Sequence, residues 1–141
     1  MRTSQITTTS HRTEVQRLYE IAAAAGIFIV EGDIPGNESA RYYHSHRCIV
    51  LRAGMPYVES LCALGHELGH AHYGHVCRPE LDARARQERQ ADEYAAELLI
   101  TAADYRSAEK LWGPHDGAIG HHLDVTPRIV RAWREFHSRR N

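Results

Sequence analysis

No stretch of this 141-residue sequence is apolar over anything near the ~20 residues that a membrane-spanning helix needs. The opening segment, MRTSQITTTSHRTEVQRLYE, is polar and lacks the apolar centre of a secretion signal. A soluble, cytoplasmic protein without membrane association is expected. Cysteine is scarce: Cys48, Cys62 and Cys77 are odd in number and far apart, which argues against a disulfide framework. Lysine is nearly missing, with Lys110 alone among the many arginines. A formal net charge of −1 removes any overall electrostatic case for nucleic acid or a membrane surface. Repeats, low-complexity tracts and linkers are also absent, so one domain over residues 1–141 is expected.

What is present is enough apolar residue for a core, 43%, arranged with changing periodicity. HRTEVQRLYEIAAAAG predicts a helix with Val15, Leu18, Tyr19 and Ala22 on one stripe and Gly26 as its stop. IFIV (Ile27 to Val30) reads as a strand and EGDIPGNES as a turn-rich loop. ARYYHSHRCIVLRAG reads as a hairpin or two short strands. Helical spacing then runs from Tyr57 to about His72, from Leu81 to Ile100, through TAADYRSAEKLWG, and through two further helices joined near Asp124 to Thr126. Helix, strands, then helices describe a small α+β domain.

The segment GHELGHAHYGH holds four of the eleven histidines. His66 and His70 are four residues apart, which places both imidazoles on one helical face, about 40° from each other. Zinc accepts imidazole nitrogens at that spacing. Glu67 lies on the flank of the same face, where it reaches a water on the metal better than the metal itself, so HELGH fits the H-E-x-x-H pattern of zinc proteases. Zinc acidifies a bound water, and a carboxylate beside it can take the proton and return it to the leaving amine. Histidine pairs at this spacing also arise by chance, but the apolar run SLCALGHELGH puts this one on a half-buried helix, where unpartnered imidazoles are costly.

Two histidines leave zinc short of a third protein ligand. On the next helix, LDARARQERQADEYAAELLI, Ala91, Tyr94, Ala95, Leu98 and Leu99 form the apolar stripe. Glu88 falls inside that stripe and Asp92 on its edge, whereas Glu93 and Glu97 fall on the solvent side. An acid at a core-facing position needs a cation or a donor. Glu88 is the favoured third ligand, and Asp92 is placed to accept the N–H of a ligating histidine. The ordinary alternatives are ion pairs, Glu88 with Arg84 and Asp92 with Arg89.

ALGHELGHAHYGH followed by ERQADEYAAELLI resembles the ImmA/IrrE family of metallo-endopeptidases. In that family a glutamate heads a stretch like E-x-x-A-[ND]-x-[FY]-A-x-x-L-L-[MI]-P, matched here by Glu88, Ala91, Asp92, Tyr94, Ala95, Leu98, Leu99 and Ile100. Thr101 stands where the family usually has proline. The resemblance runs roughly from Tyr43 to Trp133. It implies a minimal zincin-like, gluzincin-type domain: N-terminal helix, small sheet, H-E-x-x-H helix, glutamate-bearing helix and C-terminal helices. It implies one zinc ion on His66, His70 and Glu88, with Glu67 as general base. It also implies a protein substrate, a helix-turn-helix repressor of a prophage or mobile element.

Other features have bland readings beside functional ones. His72 and His75 suit the negative end of a helix, and His75 with Cys77 makes at best half of a second metal site. Tyr42, Tyr43, His44 and His46 fall in the strand region, where an edge strand can hold a peptide or a side chain can stabilise an oxyanion. Residues 116–138 have a helix-turn-helix cadence, and Arg128, Arg131, Arg134, Arg139 and Arg140 make the stretch from Thr126 to Asn141 basic. That segment either reads DNA or completes the core; the second is favoured, so nucleic acid is not an expected partner. A metal-binding regulator that binds a repressor or DNA without hydrolysis is the main rival to the peptidase. Intact H-E-x-x-H favours the enzyme, because a binder has no use for Glu67.

Overall fold

The computed structural model describes residues 14–76 and 80–140. Cys77 and the first residues of the expected N-terminal helix, His11 to Thr13, lie outside them. Helix α1 occupies residues 14–24 and buries Leu18 and Ala22, with Val15 and Ile21 packed beside them. Tyr19, expected on this stripe, is 42% exposed, because the buried face is centred on Leu18 and Ala22.

Three strands follow: β1 (Phe28–Gly32), β2 (Ala40–Tyr43) and β3 (Cys48–Arg52). The sheet order is β1-β3-β2. β3 pairs antiparallel with β2 (Tyr42 opposite Ile49) and parallel with β1 (Ile29 opposite Ile49). The expected hairpin is therefore β2–β3, joined by a short 3-10 turn over His44–His46. Residues of β3 alternate as a half-buried strand should, with Ile49 and Leu51 on the core face. On β1 the apolar run divides between two environments: Phe28 and Val30 are exposed while Ile29 packs inward.

Five helices complete the domain: α2 (Tyr57–Tyr73), α3 (Leu81–Leu99), α4 (Ala102–Trp112), α5 (Asp116–Leu123) and α6 (Pro127–Arg140). Thr101 ends up as the N-cap of α4, its side chain accepting the Asp104 N–H at 3.1 Å. A hydroxyl that caps the next helix replaces the helix-stopping proline of the family pattern. Asp124 in a left-handed turn separates α5 from α6, and Pro127 opens α6 at the position where its missing N–H has no cost.

α2 is the shared wall of two cores. Leu61, Leu64 and Leu68 face the sheet and α1. Cys62 faces the helical side, in a cluster with Ala95, Ala96, Tyr105, Ile119, Val130 and Trp133. Among the described residues Cys48 and Cys62 are free thiols.

α2 and α3 meet on small residues. A Cβ built on Gly69 would stand 2.8 Å from both Cα and O of Ala91, and one on Gly65 would stand 3.3 Å from Cβ of Ala95. The i, i+4 spacing of the two glycines makes a groove that the two alanines of α3 fill. Gly69→Ala is expected to destabilise the fold by about 1–3 kcal/mol, the cost of overpacking against rigid backbone. Gly117→Ala, at an open helical position, is expected to be neutral or slightly stabilising. Urea unfolding of the two variants measures the contrast; equal stabilities would mean that the α2–α3 contact yields freely.

Candidate metal centre

The glycine–alanine seam sets how closely the polar edges of α2 and α3 can approach. His66 and His70 project from α2 one turn apart, with Nε2 atoms 3.0 Å from each other. Glu88, one turn before Ala91 on α3, brings Oε2 to 2.7 Å from His70 Nε2 and 3.3 Å from His66 Nε2. The side chains of both histidines are 15% exposed, and that of Glu88 is 51% exposed. The sequence expectation of a core-facing Glu88 is thus corrected. It reaches the histidines from the rim of the helix pair, because the true buried line of α3 is Ala91–Ala95–Ala96.

Glu67 is the one buried charged residue of the described chain, at 7% exposure. Its carboxylate accepts the backbone N–H of Tyr42 on β2, and Oε2 stands 3.7 Å from His66 Nε2. Donor atoms of His66, Glu67 and His70 all lie within 4.8 Å of one another, yet Glu88 stands closer to the histidines than Glu67 does. The tightest triangle is therefore His66–His70–Glu88, with Glu67 beside it.

These donors fit a metal. Ligands at ~2.0–2.1 Å from a tetrahedral zinc stand roughly 3.3–3.4 Å apart, close to the separations of 2.7, 3.0 and 3.3 Å found here. Two imidazole nitrogens and a carboxylate oxygen converging on one point also need a cation between them, whether a metal ion or a proton on one ring.

Asp92 accepts His66 Nδ1–H at 2.7 Å, which leaves Nε2 facing the triangle. Its other oxygen accepts Arg128 Nε–H of α6 at 2.9 Å. The alternative pairing of Asp92 with Arg89 is not what the structure contains: Arg89 turns toward Glu93 instead. Glu93 is not on the solvent side as expected but largely covered, paired with Arg139 of α6. His70 Nδ1 meets His75 Nδ1 at 3.0 Å, and His75 Nε2 meets Gln90 Oε1 at 2.9 Å. Helical spacing does not predict His75 and Gln90 as partners of His70, since His75 follows the helix end, where that spacing has no reach. His72 is exposed and packs against Tyr73 and Tyr94, away from the triangle.

The electrostatics follow from these contacts. Burial opposes a charge on His66, but Asp92, Glu88 and Glu67 outweigh it and raise its pKa to about 9. Hydrogen bonds from His66 and His70 hold Glu88 well below the usual carboxylate range. Burial raises the pKa of Glu67 against the opposing pull of the two histidines. Burial also lowers that of His75.

The chain matches the family model of the IrrE N-terminal-like domain, Peptidase_M78, over residues 22–132. The protein belongs to that family. The match supports the metallopeptidase class, a peptidase-type hydrolase, and the His66–Glu67–His70 group agrees with it. A search of curated proteins finds no match. The α+β architecture, mostly helical around a small three-stranded sheet, is the zincin-like arrangement that the family resemblance implied.

In the metal-free protein the raised pKa of His66 stabilises the fold fully below its ordinary 6.5, a contribution lost as the pH rises through about 9. A metal has to displace that proton. Apparent affinity for a divalent metal should therefore climb with pH, by up to ~10-fold per unit, and level off above about 9. Chelator competition across this range, with the proton released on metal addition read in weakly buffered solution, checks it. A flat profile would contradict a protonated His66.

Proposed function

We propose that this protein is a cytoplasmic zinc-dependent endopeptidase. His66, His70 and Glu88 hold one zinc ion, Glu67 is the general base, and Asp92 orients His66. The observation that carries this reading is the position of Glu67: a buried carboxylate, anchored by the Tyr42 N–H, beside the ligand triangle but outside it. A site built only to bind a metal has no need of that group, and burying it without a purpose is costly.

Bound zinc would supply Lewis acidity, acidifying a water and polarising the scissile carbonyl. The chain supplies the rest. Glu67, its basicity raised by burial, takes the proton from the attacking water and delivers it to the leaving amine. Tyr42 N–H holds the Glu67 carboxylate at one orientation. β2 is an edge strand beside this carboxylate, and an extended peptide laid along it would present its carbonyls to the centre. A cleft of about 300 Å³ between α3 and α6 is lined by Glu88, Asp92 and Arg128, on the side of α3 away from His66, His70 and Glu67, none of which lines it.

The substrate we propose is a protein, a helix-turn-helix repressor of a prophage or mobile element. Nucleic acid is left out of the proposed partners. Arg128, Arg131, Arg134 and Arg139 are paired with Asp92, Asp116, Asp116 and Glu93 respectively, so the basic stripe of α6 is largely neutralised within the domain. No helix among the described residues is long and apolar enough to cross a membrane.

The purified protein is expected to hold about one zinc per chain, lost in His66→Ala, His70→Ala and Glu88→Ala. Retention of zinc by Glu88→Ala together with its loss in Asp92→Ala would move the third ligand to Asp92.

Glu67→Gln separates the enzyme from the metal-binding regulator. It keeps shape and cannot take the proton, so fold and zinc content should stay while cleavage falls by ~10²–10⁴-fold. Co-expression with a helix-turn-helix repressor encoded beside the protein, read as loss of the full-length repressor band, is the assay. Parent-like clearance by Glu67→Gln would exclude hydrolysis at this centre and favour the regulator.

A further inference from the structure

His70 reaches the triangle through Nε2, and what sets the proton on its other nitrogen is a chain of two neutral groups. We infer that His75 and Gln90 form a relay that fixes the His70 tautomer and ring orientation for metal binding, making both of them positioning residues. The inference rests on the reading of His70 as a metal ligand and adds partners to it.

The logic is that of donors and acceptors. A neutral imidazole has one N–H and one bare nitrogen. Gln90 presents Oε1 to His75 Nε2 at 2.9 Å, and an amide oxygen only accepts, so His75 carries its proton on Nε2. His75 Nδ1 is then bare and accepts at 3.0 Å from His70 Nδ1–H. With a metal in the triangle His70 is left with a bare Nε2 to offer it; without one, a proton on Nε2 donates to Glu88 Oε2 at 2.7 Å, and the metal takes that proton's place. Turning the Gln90 amide over reverses every step, placing the proton on His70 Nε2 and blocking the ligand position. Amide orientation follows from the network it serves, and only one of the two networks serves a metal.

The backbone is arranged to hold the relay. Gly74 caps α2 with φ +65°, a left-handed turn that glycine adopts without cost. The chain folds back so that His75 N–H donates to the His70 carbonyl at 2.9 Å. That places the two rings edge to face, centroids 5.2 Å apart, while Tyr73 stacks on His75. Gln90 comes from α3, between Glu88 and Asp92. One stretch of α3 thus supplies the carboxylate that meets both imidazoles, the carboxylate behind His66, and the amide that orders the partner behind His70. His66 is backed by an anion and His70 by a neutral pair, so the centre avoids a fourth carboxylate beside Glu67, Glu88 and Asp92.

Zinc affinity of the full-length protein, measured by chelator competition, tests the relay in three variants. His75→Leu should weaken binding by about 10–100-fold, the usual loss when a partner behind a metal-bound histidine is removed. His75→Gln, whose amide oxygen can still accept from His70 Nδ1–H, should recover most of it. Gln90→Leu should weaken binding in the same direction as His75→Leu. The ¹⁵N shifts of the parent's histidines, with and without zinc, read the tautomers directly: Nδ1–H for His70 and Nε2–H for His75 are expected. Parent-like affinity in both leucine variants, or a His75 carrying its proton on Nδ1, would overturn the inference. A loss that His75→Gln does not recover would also overturn it, pointing to His75 as a direct ligand. If the parent itself binds no zinc, the proposed function fails, and the tautomers of the metal-free protein still decide the relay.

Discussion

The distance between α2 and α3 is the constraint on which the rest of the molecule depends. It is set where the bare Cα of Gly69 lies against the Ala91 backbone, with no room for a methyl group between them. Helix pairs with ordinary side chains at the contact pack 8–10 Å apart. The glycine–alanine seam lets this pair approach more closely than side chains at those two positions would allow. A short carboxylate on one helix can then reach imidazoles on the other, and an amide two residues further along can reach the turn beyond them. The polar centre is in this sense a product of the apolar contact beneath it.

A second consequence concerns charge. The face of α3 that meets α2 and α6 carries Glu88, Asp92 and Glu93, three acids within six residues. Like charges at this spacing on one helix repel. The fold disperses them among different partners: Glu88 to the two histidines, Asp92 to His66 and Arg128, and Glu93 to Arg139. α6 is therefore more than a lid on the second core. Ile129, Val130 and Trp133 hold it there, while its arginines neutralise the acids that the centre does not use directly. The stripe that reads as a candidate for phosphate contact in sequence is a counter-charge to α3 in the fold.

Much of the fold was legible because its elements are periodic and well punctuated. The α2 and α3 boundaries, the β2–β3 hairpin and the break at Asp124 follow from helical spacing, strand alternation and turn residues, all local properties. Helical spacing misplaces Tyr19, Glu88 and Glu93 for one common reason. It predicts Tyr19 on the buried stripe of α1, Glu88 inside the buried stripe of α3 and Glu93 on the solvent face, whereas Tyr19 and Glu88 are exposed and Glu93 is largely covered. A helical wheel locates a stripe to within a residue or so, and which edge of it is covered depends on the neighbour that packs there. α1 buries Leu18 and Ala22 against the sheet side, and α6 covers Glu93.

Within the centre the division is similarly physical. The sequence by itself determined that His66 and His70 share a face with Glu67 beside them, since a four-residue spacing on a helix admits no other arrangement. It also determined that Glu88 and Asp92 lie one turn apart on the following helix. Only the tertiary structure decided that Glu88 reaches the histidines from an exposed rim, that Tyr42 holds Glu67, and that Arg128 holds Asp92. The same is true of His75 and Gln90 behind His70. Those contacts join α2 to a strand, to a turn past its own end, to α3 and, through Asp92, to α6. Each depends on distances between elements, which periodicity within an element does not encode.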